Sequence, residues 1–257
     1  MDAPATAPNI RFNRLLPYWA VLQTDLRQTS RSWVYRLWVL MTVVIAGGYV
    51  LYKVGVHREA GIIQTASVQT GDLLRGLIVG SLGLIALLAV SSIGSERGSV
   101  ADAVLSRGIS RHQYFLAKWH ARLVVVLTTF AFLSSIVLIA HHFLFDPDLT
   151  FVGGVVAVAM VAAVLGALIS WGVTIGALSN GTVIGITIFW LAIYGGIVVL
   201  SLLPEPYPNP DRVLARLKFV LRGQYDPGLV LQVVVVSGIL SIVAAIIGLS
   251  GFSRKDV

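Results

Sequence analysis

The chain has 257 residues, 56% of them hydrophobic and 12% charged, with a mean hydropathy of +0.85. A soluble domain carries roughly 25% charged residues, so composition alone excludes one and indicates an integral membrane protein. There are no cysteines, which removes a disulfide framework, a thiolate nucleophile and a cysteine-bound metal; the net charge of +7 reads as membrane topology rather than nucleic-acid binding.

Met1 to Asn9 is rich in Ala, Pro and Thr and reads as a disordered tail, without the basic start, short apolar core and cleavage site of a signal peptide. From about Phe12 to Ser32, Leu15, Leu16, Tyr18, Trp19, Val21, Leu22 and Leu26 alternate with Arg14, Asp25, Arg27 and Arg31. This pattern predicts an amphipathic helix lying in the membrane interface, with its aromatic rings at headgroup depth. Six stretches follow, each near the ~20 residues a bilayer requires: about 34–52, 73–93, 116–143, 151–178, 182–203 and 229–252. The first is the least apolar and contains Gly47 and Gly48. The expected architecture is an all-α membrane protein: residues 1–33 form a tail and interfacial helix, 34–252 a six-helix transmembrane domain, and 253–257 a second tail.

Between the second and third spans runs a polar interruption, residues 91–123, whose loop proper is 94–115. Ser99 with Asp102 has capping-box spacing, Gly108 suits a left-handed helix end, and Ser110 with Gln113 repeats the box with Ile109 and Tyr114 placed as a hydrophobic staple. The punctuation predicts a short helix over about 100–107, with Val100, Ala101, Val104 and Leu105 on an apolar side, then a long helix from Arg111. The first turns of that helix, with Lys118, His120 and Arg122, are expected to project into the cytoplasm.

Glu96, Arg97, Ser99, Leu105, Ser106, Ile109, Ser110, Arg111, Tyr114 and Lys118 together resemble the first cytoplasmic loop of permease subunits of type-2 (exporter-class) ABC transporters. Gly108 stands where the family often has proline, and Ala117 where it often has glycine. The resemblance extends over nearly the whole chain and implies several things at once. The amphipathic segment would be an elbow helix, and the short helix between spans 2 and 3 a cytoplasmic coupling helix. That helix would dock on a separate ATPase subunit through Glu96, Arg97, Ser99, Val100, Asp102, Val104, Leu105, Arg107 and Arg111. ATP and magnesium would be bound by that partner and no cofactor by this chain. A second permease chain, identical or different, would complete the transporter in the cell (plasma or inner) membrane.

Orientation follows from charge. Placing both termini inside puts 12 of the 19 Lys and Arg on that side and seven on the other, which favours cytoplasmic termini by the positive-inside rule. Four of the seven outer basic residues lie in the outer loop, 204–228. That loop opens with Pro204, Pro206, Pro208 and Pro210 and continues with Val213, Leu214, Leu217, Val220 and Leu221 at helical spacing. It reads as a short surface helix, either a lid or docking element over an exit path or a plain connector.

Other chemistry is not found. There is no phosphate-cradling G-x-x-x-x-G-K-[ST], no H-E-x-x-H and no G-x-S-x-G, so the chain is not expected to be an enzyme by itself. His141 and His142 with Asp146 and Asp148 are candidate metal ligands, but adjacent histidines point apart and no third nitrogen or sulfur ligand is near; an interfacial polar edge is preferred. The middles of the spans carry no ionisable side chain, which argues against an ion-coupled carrier and fits either a protein driven by an external power stroke or a passive scaffold. Gly172 with Gly176, and Gly181 with Gly185, form GxxxG pairs read as helix packing within the chain in preference to a dimer seam. The alternative to a permease is a membrane anchor or assembly subunit that recruits an ATPase and transmits its motion without moving a substrate.

Overall fold

The computed structural model describes residues 15–59, 61, 65–94, 109–202 and 210–254. Among these are eight helices: α1 (Leu16–Arg31), α2 (Trp33–Glu59), α3 (Ala66–Gly94), α4 (Arg111–Leu144), α5 (Phe151–Leu178), α6 (Thr182–Leu202), α7 (Pro210–Leu221) and α8 (Pro227–Arg254). Six of them, α2 to α6 and α8, are long and apolar enough to cross a membrane. The chain is therefore an all-helical, multi-pass membrane protein. α1, the end of α3, the start of α4 and the end of α8 meet at one end of the bundle, called here the termini end. The α2–α3 and α4–α5 connections and α7 lie at the other, the far end.

The helix boundaries have local causes. Ser32 is extended (φ −64°, ψ 143°) and separates α1 from α2; its backbone N–H donates to Thr29, and its hydroxyl accepts from the Tyr35 N–H at 3.2 Å, starting the next helix. The expected box at α4 is formed: Ser110 Oγ accepts from Gln113 N (3.2 Å) and Gln113 Oε1 accepts from Ser110 N (3.4 Å). Ile109 packs on the same apolar cluster as Tyr114, as a staple requires. Thr150 caps α5 by accepting from Gly153 N.

The core lies between α3 and α5. Their apolar windows are 56% and 50% buried inside the bundle, against 11% for α2 and for α6, so the latter two are the outer staves. Small residues allow the close approach. A Cβ on Gly172 would lie 2.5 Å from Ala89 Cβ, and one on Gly176 2.2 Å from the Val90 carbonyl oxygen. A Cβ on Gly185 would likewise meet Val90 Cγ1 at 2.7 Å, whereas Gly181 has open space around it. Three of the four GxxxG glycines thus serve packing within the chain, onto α3. On its other side α5 meets α8, where Gly248 leaves room for Phe115 and Thr174, and Thr174 Oγ1 donates to the Ala244 carbonyl at 2.7 Å. Trp119 Nε1 donates to Ser170 Oγ (2.9 Å) and joins α4 to α5.

Candidate functional site

The termini end is where the sequence placed its functional loop. Glu96, Arg97, Ser99, Val100, Asp102, Val104, Leu105 and Arg107, with the short helix and Gly108, lie outside the described residues. The described structure instead defines the frame that holds the two ends of that loop.

The frame is an ionic cluster that sequence pattern did not reveal. Asp25 on α1, Lys118 on α4 and Arg122 one turn further along α4 are 2%, 3% and 7% exposed. Lys118 Nζ donates to Asp25 Oδ1 at 3.1 Å and to the Ser92 carbonyl, in the last turn of α3, also at 3.1 Å. Arg122 Nη2 lies 3.7 Å from Asp25 Oδ1, and its Nη1 donates to Thr29 Oγ1. The Lys118 ammonium also lies 5.3 Å from the centre of the Tyr114 ring, a cation–π distance. These side chains do not project into the cytoplasm as their sequence position suggested. Lys118 sits about 10 Å and Arg122 about 16 Å along α4 from its start, and α1 covers both. The reason is packing: Leu22 of α1 buries against Ala117 and Ala121 of α4, with Tyr18, Val21 and Leu26 around them. That contact brings Asp25 over the two cations.

Two further contacts tie α4 into this end. Tyr18 Oη is 3.1 Å from His120 Nδ1, and burial pushes the Tyr18 phenol above its ordinary value of 10.0. Arg111 Nη1 donates to the Ser253 carbonyl near the end of α8 (3.3 Å), where Tyr114 stacks on Phe252. One lysine therefore links α1, the end of α3 and the start of α4, and the first turn of α4 grips α8. A signal for the cluster existed in sequence: Asp25 is the sole acid of α1 and shares a helical face with Leu22 and Thr29.

At the far end a second polar clasp appears. Asp148 accepts from the Ser67 backbone N–H (2.7 Å) and hydroxyl (2.5 Å), capping α3 from a distant segment. Arg222 Nε donates to Asp148 Oδ2 at 2.9 Å and to Ser67 Oγ at 2.8 Å, and its Nη2 reaches Thr65 Oγ1 at 3.3 Å. Arg222 follows α7, whose Leu217, Val220 and Leu221 are buried, and Gly223 (φ +78°) ends that helix with N–H bonds from Gly223 to Val220 O and from Gln224 to Phe219 O. The expected outer helix is thus wedged onto α3 and α5, with Gly153 leaving space for the Val220 and Leu221 carbonyls. His141 is buried with Nδ1 2.6 Å from Thr70 Oγ1, whereas His142 is exposed. Among the described residues no group of three or more His, Cys, Asp or Glu is arranged to hold a metal.

The far clasp makes a pH prediction. Burial raises the Asp148 carboxyl, but the Ser67 hydrogen bonds and the Arg222 guanidinium outweigh it and hold the group below its ordinary 3.8. A folded value below the unfolded one adds stability that is full above that ordinary value and is lost as pH falls through the lower folded value. Asp148→Asn should cost about 1–2 kcal/mol at pH 7 for this partly exposed pair, and the gap from wild type should close well below pH 3.8. Thermal unfolding in detergent at pH 7 and pH 3 measures it; an equal gap at both pH values would remove the ionic explanation.

No protein-family model matches this chain, and no curated protein is significantly similar to it.

Proposed function

We propose that the chain is the membrane-spanning permease subunit of an ATP-driven transporter of the ABC type, of the exporter class, working with a separate ATPase subunit and a second permease chain. The observation that supports this reading most is the frame around residues 95–108. The loop resembling a coupling element begins just after Ser92, which Lys118 holds, and ends at the capped start of α4. A push on such a loop is delivered to α1, α3, α4 and, through Arg111 and Phe252, α8 together. The loop supplies Val104 and Leu105 for packing on the ATPase and Glu96, Arg97, Asp102, Arg107 and Arg111 for polar contacts. In this reading the termini are cytoplasmic, ATP and magnesium belong to the partner, and this chain performs no bond chemistry.

A second reading draws on the wedged α7 and its clasp, which would offer a fixed platform to a partner at the far end. The chain would then be an anchor that passes ATPase motion across the membrane without moving a substrate. Substrate-stimulated ATP hydrolysis separates the two, since only a transporter responds to cargo.

The decisive experiment co-expresses the chain with candidate ABC ATPases from the same genome, the gene neighbours first, and purifies by a tag on this chain. An ATPase should co-purify with wild type and be lost with Val104→Asp, because a carboxylate buried without a partner is costly in an apolar contact. Retention of the ATPase by the variant would refute the docking role of the apolar face. Failure of any ATPase to bind wild type would refute the permease reading.

A further inference from the structure

α1 has two faces of unlike character. Its inward face is Leu22, Asp25 and Thr29, all buried on α4. Its outward face carries Arg27 and Arg31, both exposed and one helical turn apart, and Arg36 is exposed at the start of α2. Large apolar side chains flank these cations in the open: Leu15 (60% exposed), Leu16 (64%), Trp19 (60%) and Trp33 (71%). The sole acid of this region, Asp25, is turned inward and already engaged by Lys118 and Arg122.

An exposed face that is cationic, contains no acid and is edged by tryptophan and leucine matches one environment in charge and polarity. It is the headgroup layer of a membrane rich in anionic phospholipid. Guanidinium groups take phosphate oxygens in paired hydrogen bonds, the indole rings sit at the level of the glycerol backbone, and each cation near an anionic surface is worth on the order of 1 kcal/mol. A neutral phosphocholine layer offers the same apolar depth but no net charge.

We infer that the outward face of α1, with Arg27, Arg31 and Arg36, is a binding surface for anionic phospholipid headgroups and recruits a shell of such lipids at the termini end. The inference does not rest on the transporter reading, since it uses only the exposure and charge of α1.

The test reconstitutes the full chain in vesicles of equal phosphatidylglycerol and phosphatidylcholine, extracts it in mild detergent at low salt, and counts the retained lipids by mass spectrometry. Wild type should retain phosphatidylglycerol over phosphatidylcholine by about fivefold. Arg27→Gln/Arg31→Gln/Arg36→Gln should fall to near parity, while Lys53→Gln/Arg58→Gln, which removes charge from the opposite end of α2, should keep the wild-type ratio. Washing wild type in about 1 M salt should erase the preference, and millimolar inorganic phosphate should not displace the lipid. All three arginines are exposed, so unfolding temperatures of the variants should match wild type and confirm intact protein. A triple variant that keeps the wild-type ratio, or a wild type at parity, overturns the inference; so does equal loss in the far-end variant, which would mark a non-specific effect of total charge. Displacement by phosphate would also overturn it, identifying a free-anion site instead.

Discussion

Asp25→Leu is expected to be the most damaging single change in the α1–α4 contact. It removes the Asp25 carboxylate, which faces two buried cations, Lys118 and Arg122. Breaking a buried pair from one side costs about 3–5 kcal/mol, which corresponds to a fall in unfolding temperature on the order of 10 °C. The triple change Asp25→Leu/Lys118→Met/Arg122→Leu should recover most of that loss, because all three charges are removed together and the volume is filled. The triple variant strands the Ser92 carbonyl, which accepts from Lys118, and Thr29 Oγ1, which accepts from Arg122. The measurement is thermal unfolding of purified protein in detergent, together with protease accessibility of α1. A single variant as stable as wild type would mean that α1 is held by Leu22, Ala117 and Ala121 alone. The ATPase co-purification of each variant then carries a further expectation: the single change loosens the frame of the loop and should weaken capture, and the triple change should restore it.

Gly176→Ala should be comparably severe although it adds one methyl group. That methyl would stand 2.2 Å from the Val90 carbonyl oxygen and 2.9 Å from its carbon. Both are backbone atoms inside α3, so neither can swing aside as a side-chain tip can. The two central helices must separate, and every contact of the core moves with them; overpacking of this kind costs about 1–3 kcal/mol and sometimes more. Gly181→Ala is the internal comparison, with nothing within 4 Å of the new methyl, and should change stability by less than about 0.5 kcal/mol. The pair also decides what the motif does. A seam between two copies of this chain along both GxxxG pairs would make Gly181→Ala disrupt oligomers. Packing onto α3 predicts unfolding for Gly176→Ala and no effect for Gly181→Ala, read by thermal unfolding and by size in detergent.

The six spans were legible because lipid forces the signal. An apolar run long enough to cross the bilayer has almost nowhere else to go, and the observed helices depart from the sequence-predicted ones by a few residues at most of their ends. The larger extensions are the far end of α2 and the start of α3, where polar residues continue a helix that composition alone would stop. The Ser110–Gln113 box was legible because its partners are three residues apart. The ionic cluster was not, since Asp25 and Lys118 are 93 residues apart and Asp25 stands among three arginines of the same segment that could each have claimed it. Arg222 and Asp148 pose the same problem across 74 residues. Glycine spacing revealed that a close approach exists, but only the structure names α3 as the neighbour.

The salt link between α1 and α4 also sets an order of events during synthesis. Asp25 leaves the ribosome long before Lys118 exists, and at about 5–20 residues per second the interval is on the order of ten seconds. For that time α1 has no protein surface to cover its inner face, while α2 and α3 are inserted. α4 meets the opposite difficulty, since it must settle with Lys118 and Arg122 well inside its length, and their counter-charge comes from a helix made earlier. α1 is thus completed by α4, and a nascent chain halted before residue 118 has to hold Asp25 in water or against lipid headgroups until translation resumes.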